Sequence, residues 1–111
     1  MRSIVFAALL VLASAAVAQQ SGAVKVTGYV PYESGANKVL IFQIQGMPSG
    51  GCNTTGRLAI SSANPKFNGT QAAIMAAYHT QSDVQVSYSQ VCNSFYNTWD
   101  ANFVCVGNMP C

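Results

Sequence analysis

Charge is what this sequence has least of: Asp, Glu, Lys and Arg together make up 7% of its 111 residues. General acid–base chemistry needs paired carboxylates, or a histidine with an orienting partner. The acids and the histidine amount to Glu33, Asp83, Asp100 and His79. That inventory argues against a hydrolase, and no enzymatic activity is expected. His79 reads as a surface or capping residue favoured by the dipole at a helix C-terminus, Asp83 as a turn residue and Asp100 as a loop residue. Phosphate-binding loops are missing too, because the glycine-rich stretch Gly46–Gly51 lacks the Lys and Ser/Thr of a P-loop. No two cysteines have zinc-ligand spacing and His79 is remote from all of them, so no metal or cofactor is expected. The longest apolar run, Ile4 to Ala13, is ten residues, too short to span a bilayer.

That run has a different reading. Met1 and Arg2 form a basic start, the apolar run follows, and Ala16-Val17-Ala18 fits the small-x-small rule of signal peptidase. Residues 1–18 are therefore expected to be a signal peptide and 19–111 a single domain, secreted or periplasmic. Without Arg2 the cations are Lys25, Lys38, Arg57 and Lys66 against three carboxylates, a net charge of +1. Strong binding to nucleic acid or to an anionic membrane needs clustered cations, which are not there. Ser, Thr, Asn, Gln and Gly are plentiful instead, so the surface is expected to work through neutral hydrogen bonds and aromatic faces.

All four cysteines, Cys52, Cys92, Cys105 and Cys111, lie in the mature part. An even count in a short exported chain points to two disulfides. Three pairings are open. Gly107 and Pro110 can turn the short loop between Cys105 and Cys111, which favours that pair and leaves Cys52 with Cys92. On loop entropy the long link is worth roughly 4 kcal/mol and the short one roughly 2.4 kcal/mol.

Alternation of Val24, Val26 and Val30 predicts a first strand from Val24 to Tyr32, with Gly28 placed for a bulge. Residues 33–37 have turn chemistry, and Lys38–Gln45 reads as a buried second strand paired with the first. After a loop over Gly46–Gly51, Arg57–Ser61 makes a short third strand. The sequence GTQAAIMAAYH, Gly69 to His79, predicts one helix, capped by Asn64 or Asn68, with Phe67, Gln71, Ile74 and Tyr78 on one stripe. Its other faces are apolar and uncharged, so it is expected to be covered on two sides. Val84, Val86 and Tyr88 alternate as a fourth strand, residues 93–100 read as a long loop, and a last strand lies around Asn102–Val106. Three strands, a helix and two strands is the element order of the OB fold, a five-stranded barrel with its helix between strands 3 and 4. A ferredoxin-like fold needs a second helix and a sandwich more strands.

Tyr29, Tyr32, Tyr88, Phe95, Tyr96 and Trp99 all fall on predicted strands or loops. Aromatic faces beside Ser, Asn and Gln suit neutral ligands such as sugars, whose C–H faces stack and whose hydroxyls need donors and acceptors. Packing in a small barrel competes for the same side chains, and Tyr88 and Trp99 are the candidates for ligand contact. Asn53-Thr54-Thr55 and Asn68-Gly69-Thr70 match the N-glycosylation pattern. In a bacterial chain they carry no meaning, and the short signal and small size suggest such a source.

Four stretches resemble the OB-fold binding subunit of bacterial AB-type toxins, that of subtilase cytotoxin in particular, and related short secreted bacterial proteins: Ser21–Thr27, Val39–Gly46, Gln71–Ser89 and Cys105–Cys111. The resemblance implies a non-catalytic lectin for sialylated glycans of a cell surface, assembled as a homo-oligomeric ring of five beside a separate enzymatic subunit. It implies that Ser21, at the start of the first strand, and Tyr88, at the end of the fourth, touch the glycan. Trp99 is an aromatic candidate from the residues alone. Met47-Pro48 stands where the family has a polar contact, and the second strand carries no cysteine. The alternative function is an exported protein-interaction or inhibitor domain whose disulfide-stapled loops, near Cys52 or between Cys92 and Cys105, insert into a partner.

Overall fold

The computed structural model describes residues 18–111. Its elements are β1 (Ala18–Gln20), β2 (Val24–Ser34), β3 (Asn37–Ile44), β4 (Leu58–Ser61), α1 (Phe67–Thr80), β5 (Asp83–Ser89) and β6 (Trp99–Val106), a mainly β molecule. The expected signal peptide lies outside the described residues except for Ala18, which opens β1. Among the described residues no helix is long and apolar enough to cross a membrane.

The strand pairings run round a closed circuit: β5 with β2, β2 with β3, β3 with β4, β4 with β6, and β6 back to β5. All are antiparallel but β4–β6, which is parallel. The strand β1 was not expected. It pairs with β5 from Ala18↔Ser89 to Gln20↔Ser87, and β2 joins β5 further along at Val24↔Val84. Since β6 occupies the other edge of the same β5 residues, β1 and β2 follow one another along a single edge. Ser21 bridges the gap, its N–H donating to the Val86 carbonyl at 3.0 Å.

β2 and β3 form a hairpin closed by Gly35-Ala36, where φ of +61° at Gly35 suits the right-handed twist that two-residue loops must match. The register slips between Val26 and Gly28, the expected bulge. β6 begins at Trp99, three residues before the expected start, because parallel pairing of Trp99 with Leu58 and of Asp100 with Ala59 recruits residues that show no alternation.

The helix starts without a side-chain cap: Lys66 holds the N-cap position, while the Asn64 carboxamide oxygen accepts the Lys66 N–H at 2.9 Å just outside it. Gln81 ends the helix in a left-handed conformation, with the Ser82 N–H reaching the Ala77 carbonyl. The buried stripe is Phe67, Thr70, Ile74 and Ala77 rather than Phe67, Gln71, Ile74 and Tyr78; Gln71 and Tyr78 are half-buried. A second cover is absent within the described chain, for Ala72 and Ala76 are exposed.

The inner core joins α1 to Val26, Leu40, Phe42, Leu58, Val84 and Val86 from all sides of the circuit. A second, smaller cluster of Val39, Ile41 and Ala59 sits on the opposite face of β3 and β4, with Phe95 packed on it. Both disulfides are formed, Cys52–Cys92 and Cys105–Cys111, and no free cysteine is found among the described residues. Two disulfides fit an oxidising, non-cytoplasmic compartment.

Candidate functional site

Cross-strand pairing determines which side chains share the outer face of β2, β3 and β4. Tyr32 faces Val39, Val30 faces Ile41, and Gly28 faces Gln43; Ile41 in turn faces Ala59. Two-residue periodicity places Arg57, just before β4, on this same face. Such a face on an all-polar surface would be solvated. Here it is apolar in the middle, and the segment between β5 and β6 folds over it.

That segment is pinned at several points. Cys92 is tied to Cys52. The Asp100 carboxylate oxygen Oδ1 accepts the N–H groups of Asn93 at 3.0 Å and Ser94 at 2.8 Å, and the Asp100 N–H reaches back to the Val91 carbonyl at 2.8 Å. Asp100, expected in a loop, therefore stands second in β6 and organises the loop from there. The Thr55 hydroxyl donates to the Asn97 carbonyl at 3.1 Å. Thus anchored, Phe95 seats on Val39, Ile41 and Ala59, Tyr32 meets it edge-on at 5.4 Å between ring centroids, and Tyr96 stands tilted beside it at 4.9 Å. Tyr32 is 44% exposed and Tyr96 78% exposed. Two aromatic side chains are thus open to solvent around a half-buried third.

Beside them lies a shallow cavity of about 230 Å³ bordered by Gly28, Val30, Ile41, Gln43 and Arg57. Arg57 donates from Nε to the Thr55 hydroxyl at 3.0 Å and from Nη2 to the Asn97 carboxamide oxygen at 3.4 Å. No carboxylate lies within salt-bridge distance of it among the described residues, the one such pair being Lys25–Asp83 at 2.7 Å. A guanidinium has five N–H donors; these contacts occupy two and fix its orientation. The loop from Gly46 to Gly56 supports the arrangement from below. There Asn53 is fully buried, its Oδ1 accepting the Arg57 N–H at 3.3 Å, and Gly56 holds φ of +65° with the Met47 carbonyl 3.2 Å from where a Cβ would stand.

The residues expected at a glycan site lie elsewhere. Tyr88 and Trp99 do come together, stacked at 5.7 Å with 9° between their planes, but inside the core, where 9% and 5% of their surfaces remain exposed. Ser21 stands at the rim, half-buried. Its hydroxyl donates to the Gly22 carbonyl at 2.8 Å and accepts the Val86 N–H at 2.9 Å. With its one proton committed, it can only accept from a ligand. Nothing links Ser21 to the aromatic pair by a side-chain hydrogen bond.

Sequence reasoning included Tyr32, Phe95 and Tyr96 in the aromatic set but did not place them together, and it missed Arg57 and Asn97. A single cation among neutral residues makes no pattern. Tyr29 meets Tyr78 edge-on at 5.5 Å, and its hydroxyl lies 2.9 Å from His79 Nε2, so His79 joins an aromatic cluster at the helix end rather than standing free. No family model matches the chain, and no curated protein and no solved structure matches it either.

Proposed function

We propose that this protein is a secreted, non-catalytic binding module for carbohydrate, and that the outer face of β2, β3 and β4 is where it binds. One observation carries the reading: Tyr32 and Tyr96 present exposed rings around Phe95, beside a cavity lined by Arg57 and Gln43. Sugar C–H faces pack on aromatic rings, and their hydroxyls take hydrogen bonds from a guanidinium or a carboxamide. A disulfide and the Asp100 carboxylate hold the ring-bearing loop in place, so little ordering entropy remains to oppose binding.

The closed circuit fits an OB-type barrel of five strands, with β1 and β2 in series as the first and the helix between the third and fourth. In such a barrel the outer face described here is flanked by the loops that carry Asn53 and Phe95. Association into a homo-oligomer is part of the same reading, supported by the uncharged, exposed Ala72 and Ala76 on α1.

The test is a glycan array on the mature protein with four variants. Binding that Tyr96→Ala and Tyr32→Ala reduce while Tyr88→Phe and Ser21→Ala spare it supports the outer face. Loss in Tyr88→Phe alone, with the fold intact, moves the site to the strand end implied by the toxin-subunit resemblance. Ser21→Ala must be read against stability, because it removes two internal hydrogen bonds. No sugar bound above background sinks the carbohydrate reading. The protein-interaction reading then takes its place on the same surface, since exposed Val30, Tyr32 and Tyr96 also suit an apolar protein contact.

A further inference from the structure

The two N-glycosylation patterns remain unused by any role assigned above, and the fold treats them in opposite ways. Asn53 is 0% exposed. Its Nδ2 points at the Pro48 carbonyl at 3.5 Å, its Oδ1 accepts the Arg57 backbone N–H, and its backbone exchanges both hydrogen bonds with Gly50, at 2.8 and 2.9 Å. Asn68 is the second residue of α1 and is exposed, at the edge of the groove between Lys38, Pro65 and Phe67.

We propose that the folded, secreted protein carries an N-linked glycan on Asn68 and none on Asn53, whenever the chain is made in a secretory pathway that carries out this transfer. The step joins Asn68 Nδ2 to the anomeric carbon of a lipid-pyrophosphate-linked oligosaccharide. The new C–N bond replaces the C–O bond to the pyrophosphate, which leaves with the lipid, and Nδ2 gives up one proton. Recognition also requires the hydroxyl two residues on, and in the fold Thr70 is buried against the core. Transfer therefore precedes winding of α1. The fold then selects among modified chains. A glycan on Asn68 projects into water and leaves the buried stripe Phe67, Thr70, Ile74 and Ala77 untouched. A glycan on Asn53 must be forced out of a sealed interior, breaking the loop between Gly46 and Gly56 next to the Cys52–Cys92 link.

The position has a consequence for assembly. Asn68, Ala72 and Ala76 are spaced by four residues and lie on one exposed line of the helix. A glycan on the first covers the other two and blocks association through them. This inference stands whether or not the outer face binds sugar, since it concerns a different surface and needs no ligand.

The experiment expresses the full 111-residue chain in a eukaryotic secretory host and maps peptides of the secreted protein after an amidase that converts each glycan-bearing Asn to Asp. The expected result is conversion at Asn68 and none at Asn53, with the glycan mass lost in Asn68→Gln and that variant still secreted. Sedimentation then compares the glycosylated and enzymatically stripped forms, and the stripped form is expected to be the larger assembly. Secreted protein with an unmodified Asn68, or with a glycan on Asn53, overturns the proposal; a stripped form with no more subunits than the glycosylated one overturns the assembly part. If secretion is poor, the same mapping on chain retained inside the pathway reads Asn68 occupancy directly, and an unmodified Asn68 there also overturns it.

Discussion

Two groups of aromatic residues in this molecule, each containing tyrosine, meet opposite fates. Tyr88 and Trp99 lie flat on each other inside the circuit of strands, whereas Tyr32 and Tyr96 stand in solvent around Phe95 on its outside. Tyr88 follows Val84 and Val86 on the inner side of β5, and Trp99 enters the core beside Leu58 through the parallel β4–β6 pairing. Tyr32 instead faces Val39, which belongs to the outer cluster. Alternation along a strand says which residues share a face; only closure of the circuit says which face is inside. The difference leaves one pair packed in the core and the rings of Tyr32 and Tyr96 open to solvent.

The largest expected effect comes from removing the inner partner. Trp99→Ala empties a buried aromatic site and is expected to cost about 3–5 kcal/mol, read as a lower midpoint in urea unfolding. Tyr96→Ala in the same assay is expected to stay within about 0.5 kcal/mol of the parent. Equal losses would erase the distinction between the two groups.

Next in size are the disulfides, which also differ by region. Replacing Cys52 and Cys92 together by Ala opens a link of sequence separation 40 and is expected to cost roughly 4 kcal/mol; opening Cys105–Cys111, of separation 6, costs roughly 2.4 kcal/mol. The first change also releases the loop under Tyr96. Proteolysis within residues 90–98 is expected to speed up in the Cys52/Cys92 variant and not in the other. Faster cleavage in both would mean that the loop is held mainly by something other than this link.

The inner half of this comparison was far more legible in the sequence than the outer half. Alternating valines marked β2 and β5, the β-branched run marked β3, Gly28 marked the bulge, and four cysteines with one turn-prone spacing led to both disulfides. Local signals suffice where the local pattern and the fold agree. β1 escaped notice because three residues next to an expected cleavage site carry no period, and their strand character comes from β5. Trp99 escaped because its strand partner, Leu58 of β4, lies some 40 residues away in the chain, and Asp100 because it is held between Ala59 of β4 and Ser89 of β5. The outer face was illegible for the same reason. Phe95 shows no alternation, Arg57 is one cation among neutral residues, and only the loop geometry brings either to Tyr32.

A smaller effect tests what holds the outer loop. Asp100→Ala removes the acceptor of the Asn93 and Ser94 N–H groups, hydrogen bonds to a charged group, and is expected to cost about 1.5–3 kcal/mol. Asp100→Asn keeps a carbonyl acceptor and is expected to lose less than half of that. Hydrogen exchange at Asn93 and Ser94 measures it directly, with faster exchange in Asp100→Ala. Unchanged exchange would show that the Cys52–Cys92 link alone shapes the loop.

The smallest effect on stability is the one that bears most on function. Tyr96 is 78% exposed, so truncating it removes little buried surface, and the fold has no reason to require a ring there. A ligand that stacks on the ring does require it. Tyr96→Ala is therefore expected to weaken carbohydrate binding at least about tenfold, equivalent to about 1.4 kcal/mol, at an unfolding midpoint close to that of the parent. Arg57→Lys sharpens the point. Lysine keeps the charge but not the planar fork that reaches Thr55 and Asn97 together, so it is expected to weaken binding while conserving net charge. Titration calorimetry with whichever glycan the array selects separates the outcomes: affinity lost in both variants with stability preserved places ligand contact on the outer face, and affinity unchanged in both removes that face from the binding reaction.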